Sequence, residues 1–445
     1  MDASQLNWLS AADAARAIRD GAISSEQLVE ACLARVREVE EKVQAWQFLD
    51  PEHALGQARA RDRDRREGHP SGPLHGVPVG IKDIIDTADM PTEDGTVLHA
   101  GRTPAWDATV VAWLRAAGAV IMGKTVTTEC AVFTPGKTRN PHNPEHTPGG
   151  SSSGSAAAVA AGMVPLALGS QTNGSTIRPA AFCGVYGFKP THGLIPRHGI
   201  LRLSRALDHV GVFARTIEDV ALVCESLVGH DERDPDTRPR ARIPFGAVAA
   251  EEPPMPPRLA FVKTPVWDRA EAETTEAFGE LTAELGDAVK EIELPDSARA
   301  AWDWHRTIME AEMAASLDLE WERGRDRLSA QLREQLARGR EVRALDYQQA
   351  LARIPLLNAG FEDLFARFDA ILTPTAPGTA PRGLDSTGDP AFCTLWTLCG
   401  MPAISLPLMR GTNGLPLGVQ LVGPRAGDAR LLRTARWLAA QVTTD

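Results

Sequence analysis

Apolar positions near the N-terminus of this chain recur with the period of an α-helix, and residues that can cap a helix precede them. Ser10 stands before the first of these segments, and Ser24 or Ser25 stands before the second. A third segment begins at Pro51 and continues through a run of arginines and aspartates. The pattern predicts three amphipathic helices, over about residues 10–21, 24–41 and 51–66.

From residue 77 onward, short apolar runs alternate with helical segments. This alternation predicts an α/β protein: a single α/β/α domain over residues 1–445, with a large mixed, mostly parallel sheet covered by helices on both faces. A proline-rich stretch at residues 238–257 is expected to be a surface connection within that domain. Strands are predicted at residues 77–81, 119–122, 185–188, 259–262, 370–372, 403–406 and 417–422, with helices at 107–117, 153–162 and 271–285, a helical region over 298–362 that breaks before Pro355, and a C-terminal helix.

Net charge, cysteine usage and the lengths of the apolar stretches argue against several classes of protein. The chain carries 47 Lys and Arg against 58 Asp and Glu, a formal net charge of −11, whereas a nucleic-acid-binding surface needs a basic face. The six cysteines contain no C-x-x-C pair, which indicates a reducing compartment and no structural zinc site. No signal-peptide pattern opens the chain, and the longest apolar stretch, residues 156–168, is shorter than the roughly 18 residues of a membrane span. We therefore expect a cytoplasmic protein with no nucleic-acid or membrane partner.

Two well-known site motifs occur in the sequence, but in unsuitable contexts. Residues 118–125 match the phosphate-loop pattern G-x-x-x-x-G-K-[ST], yet their middle residues are typical of a buried strand, whose N–H groups are not free to bind phosphate. Residues 142–146 match H-x-x-E-H, yet Pro144 disfavours the helix that would place both histidines on one face. We therefore expect neither an ATP site nor a catalytic metal.

A third motif leaves an alternative open. Residues 150–154 match the G-x-S-x-G nucleophile elbow, which would make Ser152 the nucleophile of a serine hydrolase. An elbow requires a strand that leads directly into the turn, whereas the preceding residues 139–144 contain two prolines and are typical of a loop.

Two tracts that contain glycine and serine are the strongest candidates for a site. Residues 149–155 lead into an alanine-rich helix, whose N-terminus offers N–H groups and positive potential. A flexible linker is the alternative interpretation of this tract. Residues 169–175 place Asn-Gly before Ser175, in a turn that can direct successive N–H groups at an oxyanion. A plain Asn-Gly turn is the alternative here.

Together these tracts resemble the amidase signature family. That family has a cis-serine in a Gly/Ser block, here Ser151, and a nucleophilic serine 24 residues later, here Ser175. Lys82 matches the family's catalytic lysine. The similar segments are residues 76–83, 149–155, 180–191, 400–407 and 414–423, so the resemblance runs almost from end to end. It implies N-terminal helices over about residues 1–67, a signature core over about 74–230 and a variable, substrate-side region over about 238–395.

The resemblance also implies a mechanism. Ser175 would attack the substrate carbonyl and form an acyl-enzyme, with neutral Lys82 as the base that acts through the hydroxyl of Ser151. Ser151 would follow a cis peptide bond after Gly150. The remaining positions are implied by the same resemblance: an oxyanion hole formed by the N–H groups of Thr172, Asn173, Gly174 and Ser175, and substrate-binding residues at Gly149 and Gly150. Trp396, on a segment similar to the family, is a further candidate for binding the acyl part of the substrate, and a core tryptophan is the alternative interpretation.

Two residues depart from the family pattern, because Gln171 stands where many members have Asp and Asn173 where many have Gly. Gln171 makes the amidotransferase member of the family less expected than a stand-alone enzyme. We expect a cofactor-free amidase that cleaves the C–N bond of a small amide or carbamate, with an aryl amide or urethane as the finer suggestion and a homodimer as one assembly it allows. The alternatives are an elbow hydrolase that uses Ser152 and a non-catalytic, amidotransferase-like subunit.

Overall fold

Short, mostly apolar segments form the strands of one sheet, which has eleven strands within residues 3–69 and 72–442, the part of the chain that the computed structural model describes. Residues 1–2, 70–71 and 443–445 of the predicted domain lie outside the described residues. The strands are β1 Trp46–Leu49, β2 Pro78–Lys82, β3 Val120–Thr125, β4 Leu166–Gln171, β5 Tyr186–Lys189, β6 His209–Ala214, β7 Leu259–Lys263, β8 Val289–Glu293, β9 Ala370–Pro374, β10 Ala403–Arg410 and β11 Pro416–Val422.

The strand order across the sheet is β1-β3-β2-β4-β6-β5-β10-β11-β9-β7-β8. Strand β2 pairs in parallel with β3 and β4, and β7 pairs in parallel with β8 and β9. The other six pairings among the described strands are antiparallel. The predicted mixed sheet is confirmed, but its parallel pairs are fewer than the mostly parallel sheet we expected. The reason is local, because β10 and β11 form a hairpin and β5 reaches β6 through a loop without a crossover helix.

Helices flank this sheet, which confirms the predicted layered α/β architecture. No helix among the described residues is long and apolar enough to cross a membrane. The α-helices are α1 Ala11–Arg19, α2 Ser25–Val43, α3 Pro51–Arg66, α4 Thr109–Ala116, α5 Ser153–Ala160, α6 Ile177–Cys183, α7 Ile217–Leu227, α8 Phe245–Ala250, α9 Ala272–Leu285, α10 Ala301–Ser316, α11 Asp318–Gly324, α12 Ala330–Arg340, α13 Ala344–Phe365, α14 Ala391–Leu398 and α15 Asp428–Gln441. Short 3-10 helices lie at Ala3–Trp8, Val97–His99, Glu129–Ala131, Trp267–Arg269, Gly286–Ala288, Asp296–Ala300 and Arg325–Arg327.

The three predicted N-terminal helices are confirmed, and their first residues explain where they begin. The side chain of Ser10 accepts a hydrogen bond from the N–H of Asp13 ahead of α1. Ser24 forms a capping box with Gln27 at the start of α2. Asp50 caps α3, and a proline occupies the first turn of that helix, where its missing N–H costs nothing.

Three features of the fold differ from the sequence prediction. Pro355 lies inside α13 rather than at a break, because it is exposed and the carbonyl that loses its partner can bond to water. Helix α8 forms within residues 238–257, which were expected to be a surface connection. Four strands were not predicted: β1 and β8 at the two edges of the sheet, and β4 and β6, which are fully buried at its centre.

Candidate active site

Two parallel strands bring candidate residues to one edge of the sheet. Strands β2 and β4 are neighbours that pair at Ile81 and Leu168, and every residue of both strands is buried. Strand β2 ends at Lys82, and Ser170 is the penultimate residue of β4. Because the carboxyl ends of parallel strands share an edge, these two side chains lie together beside the residues that precede α5.

The amino group of Lys82 is removed from solvent. The side chain is 0% exposed, and its Nζ donates hydrogen bonds to Oγ of Ser151 at 2.6 Å and to Oγ of Ser170 at 2.8 Å. Burial lowers the pKa of Lys82 well below its usual range, and the opposing charge of Asp208 does not reverse this shift. Lys82 therefore has the environment that a neutral, proton-accepting lysine needs.

The backbone that presents Ser151 is held by a buried arginine. The peptide bond between Gly150 and Ser151 is cis, as the resemblance implied. The carbonyl oxygen of Gly150 accepts a hydrogen bond from Nη2 of Arg178 at 2.8 Å, and Nε of Arg178 donates to the carbonyl of Thr387 at 2.7 Å. Arg178 is 1% exposed, and burial lowers its pKa to about 10. Arg178 thus fixes the position of the Gly150 carbonyl through a charged donor.

The turn before Ser175 presents N–H groups that are free to bind an anion. No described residue accepts a hydrogen bond from the N–H groups of residues 172–175. The carbonyl of Thr172 accepts from Nε2 of His305 at 2.9 Å, and the carbonyl of Asn173 accepts from Oγ1 of Thr397 at 2.6 Å. In a trans peptide the next N–H points away from the carbonyl, so these contacts direct the following N–H groups to the opposite side. An oxyanion hole requires this arrangement.

His305 is neutral in this position, since burial lowers its pKa to about 4. Its contact with a carbonyl oxygen requires that Nε2 carry the proton. The ring therefore holds the turn through a neutral hydrogen-bond donor.

Gln171, which precedes the turn, also holds it in place through its side-chain amide. Its Oε1 accepts hydrogen bonds from the N–H groups of Thr176 at 2.8 Å and Ile177 at 3.0 Å, at the start of α6. Its Nε2 donates to Oγ1 of Thr397 at 2.9 Å. Thr397 gives its one hydroxyl hydrogen to the carbonyl of Asn173, so it needs a donor that Gln supplies and an ionised Asp does not. The departure from the family pattern therefore has a structural role.

The hydroxyl of Ser175 is half-buried and makes no hydrogen bond to another described residue. The structure thus joins Lys82 to Ser151 directly, whereas the link from Ser151 to Ser175 is not made in this state. Ser175 is left accessible at the end of a turn with free N–H groups.

Ser152 and Trp396 lie in positions that do not suit the roles suggested for them. Ser152 is fully buried, and its hydroxyl donates to the carbonyl of Ser170 and accepts from the N–H of Ser170, both at 3.2 Å. These contacts tie α5 to β4, and no named strand precedes α5 directly among the described residues. Trp396 is 0% exposed and packs edge to face on Phe361, with ring centroids 5.4 Å apart. Trp396 therefore fits the alternative interpretation, that of a core tryptophan, and not a substrate-binding role.

The phosphate-loop match and the H-x-x-E-H match do not adopt the local structures that their motifs require. Most of the G-x-x-x-x-G-K-T segment is the buried strand β3, as predicted. The H-x-x-E-H segment is a turn in which the N–H of His146 donates to the carbonyl of Asn143 at 3.0 Å. No group of three or more His, Cys, Asp or Glu that could hold a metal occurs among the residues that the structure describes.

Sequence reasoning missed four residues of this site. Ser170 and Arg178 had a signal, because one is a polar residue near the end of a buried strand and the other is a lone charge in an apolar helix. His305 and Thr397 had no local signal, since they lie 133 and 224 residues along the chain from the carbonyls they bind.

Known proteins that resemble this chain in sequence point to one family. A family model described as Amidase matches residues 27–432. The A subunit of glutamyl-tRNA(Gln) amidotransferase from Chloroflexus aggregans is 35% identical over 474 residues, which cover 96% of this chain and 95% of that protein. The protein of the same name from Symbiobacterium thermophilum is 36% identical, with 98% of this chain and 97% of that protein covered.

Solved structures are similar over almost the whole chain as well. The native peptide amidase from Stenotrophomonas maltophilia matches with a TM-score of 0.86 and 30% identity, over 97% of this chain and 96% of that chain. A 6-aminohexanoate cyclic dimer hydrolase in complex with substrate matches with a TM-score of 0.88 and 27% identity, over 98% of both chains.

Proposed function

The chain belongs to the amidase family, and we propose that it is a serine amidohydrolase that cleaves the C–N bond of a small amide or carbamate. The observation that carries the proposal is the 2.6 Å contact between the buried Nζ of Lys82 and the hydroxyl of Ser151. A lysine without solvent or a close carboxylate partner is suited to be a base, and the hydroxyl beside it is suited to relay a proton.

In the proposed acylation step, Oγ of Ser175 attacks the carbonyl carbon of the substrate. Its proton passes to Oγ of Ser151, whose own proton passes to neutral Lys82. The negative charge that forms on the carbonyl oxygen is bound by the free N–H groups of residues 172–175, of which Asn173 and Gly174 are the best placed. One such donor is worth about 3 kcal/mol of transition-state stabilisation.

The C–N bond then breaks, and the nitrogen leaves with the proton that Ser151 returns from Lys82. Water attacks the ester on Ser175 with the same relay as base, and the acid is released. The free serine and the neutral lysine are restored, so the cycle consumes one water and no other reactant.

The size of the cavities around the turn favours a small substrate. Thr172 lines a cavity of about 320 Å³, and Asn173 lines a second one of about 260 Å³. Cavities of this order suit small molecules rather than folded proteins. Small aryl amides and urethanes, the finer suggestion from the sequence, are the compounds to screen first.

Peptide mass spectrometry after treatment with a fluorophosphonate tests the proposal. We expect an adduct on Ser175 that is absent in Ser175→Ala and strongly slowed in Lys82→Ala. Lys290→Ala, which removes an exposed lysine, is the matched control and should react like wild type. An adduct on Ser152, or none on any serine, would contradict the proposed nucleophile.

A second candidate function is that of one component of an amidotransferase, which the names of the relatives favour. In that role the chain would act together with partner proteins and release ammonia for use by them. Turnover of simple amides by the purified chain alone separates the two functions. A rate that appears only after a partner is added would favour the amidotransferase role.

The six cysteines support the proposal of a cytoplasmic location. All six are free and buried, and burial raises the pKa of the thiols, for example to about 12 for Cys32 and Cys399. Buried neutral thiols of this kind are typical of proteins from a reducing compartment.

A further inference from the structure

A cavity of about 260 Å³ opens beside the turn that holds the candidate oxyanion hole, at Asn173. It lies between α10, α12 and the start of α14. Phe133, Trp302 and Met309 provide an apolar lining. The side chain of Asn173 is itself fixed, since its Oδ1 accepts a hydrogen bond from Oγ1 of Thr394 at 2.8 Å.

One polar side chain that lines this cavity has an amide oxygen without a hydrogen-bond partner among the described residues. Gln335 on α12 is 7% exposed, and its Oε1 makes no hydrogen bond to any described residue. A buried amide oxygen without a partner is destabilising, so such groups in proteins bind an ordered water, an ion or a ligand. Gln335 therefore points to a ligand that supplies a hydrogen-bond donor.

The charges around the cavity are already paired. Glu310 accepts from Nη2 of Arg338 at 2.6 Å, and Asp389 pairs with Arg269 at 3.0 Å. The third arginine in the lining, Arg306, pairs with Asp303 at 2.7 Å. A charged ligand would have to compete with these ion pairs, so a neutral polar ligand fits better.

The position of the proton relay decides which part of the substrate enters this cavity. The leaving nitrogen must face Ser151, because the proposed relay returns its proton there. Ser170, which shares the amino group of Lys82 with Ser151, lines the other cavity, of about 320 Å³. The acyl part lies on the opposite side of the carbonyl carbon, which leaves for it the cavity that Asn173 and Gln335 line.

We propose that this cavity binds the acyl part of the substrate, and that Gln335 selects an acyl group with an apolar body and a second, neutral carboxamide. The second carboxamide donates its N–H to Oε1 of Gln335 and accepts from Nε2. This inference rests on the proposed hydrolysis at Ser175 and adds the substrate class to it. Gln335 is a specificity-determining residue and takes no part in the chemistry.

Paired substrates test the inference. Ammonia release is measured for succinamide, glutaramide and adipamide, each against the alkyl amide in which an isopropyl group replaces the distal carboxamide. The kcat/KM of each diamide is divided by two, because the molecule has two equivalent amides. For at least one pair we expect this corrected value to exceed that of the alkyl amide by about tenfold or more. In Gln335→Leu this ratio should fall to near one, with kcat/KM for the alkyl amide unchanged or higher.

Two controls keep the result interpretable. Gln348→Leu replaces an exposed glutamine on α13 and should keep the wild-type ratio. Gln335→Met serves as a second apolar variant if Gln335→Leu has a lowered melting temperature. Fluorophosphonate labelling of Ser175 should be the same in all of these variants.

A wild-type ratio near one in all three pairs, or a ratio that Gln335→Leu leaves unchanged, would overturn the inference. If labelling of Ser175 and hydrolysis of alkyl amides persist in that case, the proposed function stands and the role of Gln335 alone is wrong. If neither labelling nor hydrolysis is found, the proposed function and the inference fail together.

Discussion

Among single residues, the environment of Lys82 determines how activity should depend on pH. The neutral form is the base, and burial lowers the pKa of Lys82 well below its usual range. Protonation therefore removes the base as the pH falls through this lowered pKa, and activity should rise with pH and then level off. The measurement is kcat/KM for an amide from pH 5 to pH 10.

The Lys82→Ala variant checks that this ionisation belongs to the lysine. General-base catalysis contributes about 10²- to 10⁴-fold, so a loss of that order is expected, together with loss of the acidic limb of the profile. An acidic limb that survives in Lys82→Ala, or a flat wild-type profile, would assign the base to another group.

Gln171 provides a second prediction about a single residue. In Gln171→Leu, the N–H groups of Thr176 and Ile177 lose their acceptor and Thr397 loses its donor. Each buried group left without a partner costs about 1–3 kcal/mol, so the free energy of unfolding should fall. We expect kcat to fall more than KM changes, because the turn orders the oxyanion hole. Denaturant unfolding and steady-state kinetics measure the two effects, and a full kcat in a destabilised variant would contradict the role of the turn.

Among the secondary-structure elements, the contact between α5 and β4 separates the two candidate nucleophiles. Ser152 uses its hydroxyl to bind both backbone groups of Ser170. Ser152→Ala should therefore lower the free energy of unfolding by about 1–3 kcal/mol and keep labelling at Ser175. Complete loss of labelling in a variant that still folds would favour the elbow mechanism instead.

Most of the elements that the sequence predicted follow a short apolar run or begin at a recognisable cap. Strands β2, β3 and β5 follow apolar runs, and α1 to α3 begin at recognisable caps. Strand β4 escaped prediction because it ends in Gly169, Ser170 and Gln171, the residues that build the site. Its polar end is explained only by the parallel neighbour β2 and by α6, which the sequence does not place in space. For the same reason the motifs located Lys82 and Ser175, but not the distant residues that hold the turn.

Across the whole molecule, the start of α12 is anchored to the loop that contains Glu129 and Thr134. The carboxylate of Glu129 accepts a hydrogen bond from the N–H of Ser329, with oxygen distances of 3.1 and 3.3 Å, and Ser329 caps α12. The hydroxyl of Ser329 also lies 2.7 Å from that of Thr134. A negative charge at this helix end is favourable as well, so the contact holds the wall that carries Gln335.

Removal of this anchor should alter substrate binding from a distance. In Glu129→Ala we expect KM to rise several-fold with little change in kcat, and hydrogen exchange to quicken in α12. Glu129→Gln keeps an acceptor oxygen, so its KM should rise less than that of Glu129→Ala. Glu334→Ala changes an exposed position on α12 and should have the KM of wild type. An unchanged KM alongside faster exchange would show that α12 does not form part of the substrate site.

Transfer of the acyl group to Ser175 can be observed by rapid-quench peptide mass spectrometry during turnover of an activated aryl amide or carbamate. We expect an acyl or carbamoyl mass on the peptide that contains Ser175, which appears before the acid product and disappears when substrate is exhausted. In Lys82→Ala the same mass should form far more slowly. Turnover without any covalent mass on Ser175, or with the mass on Ser152, would contradict the proposed mechanism.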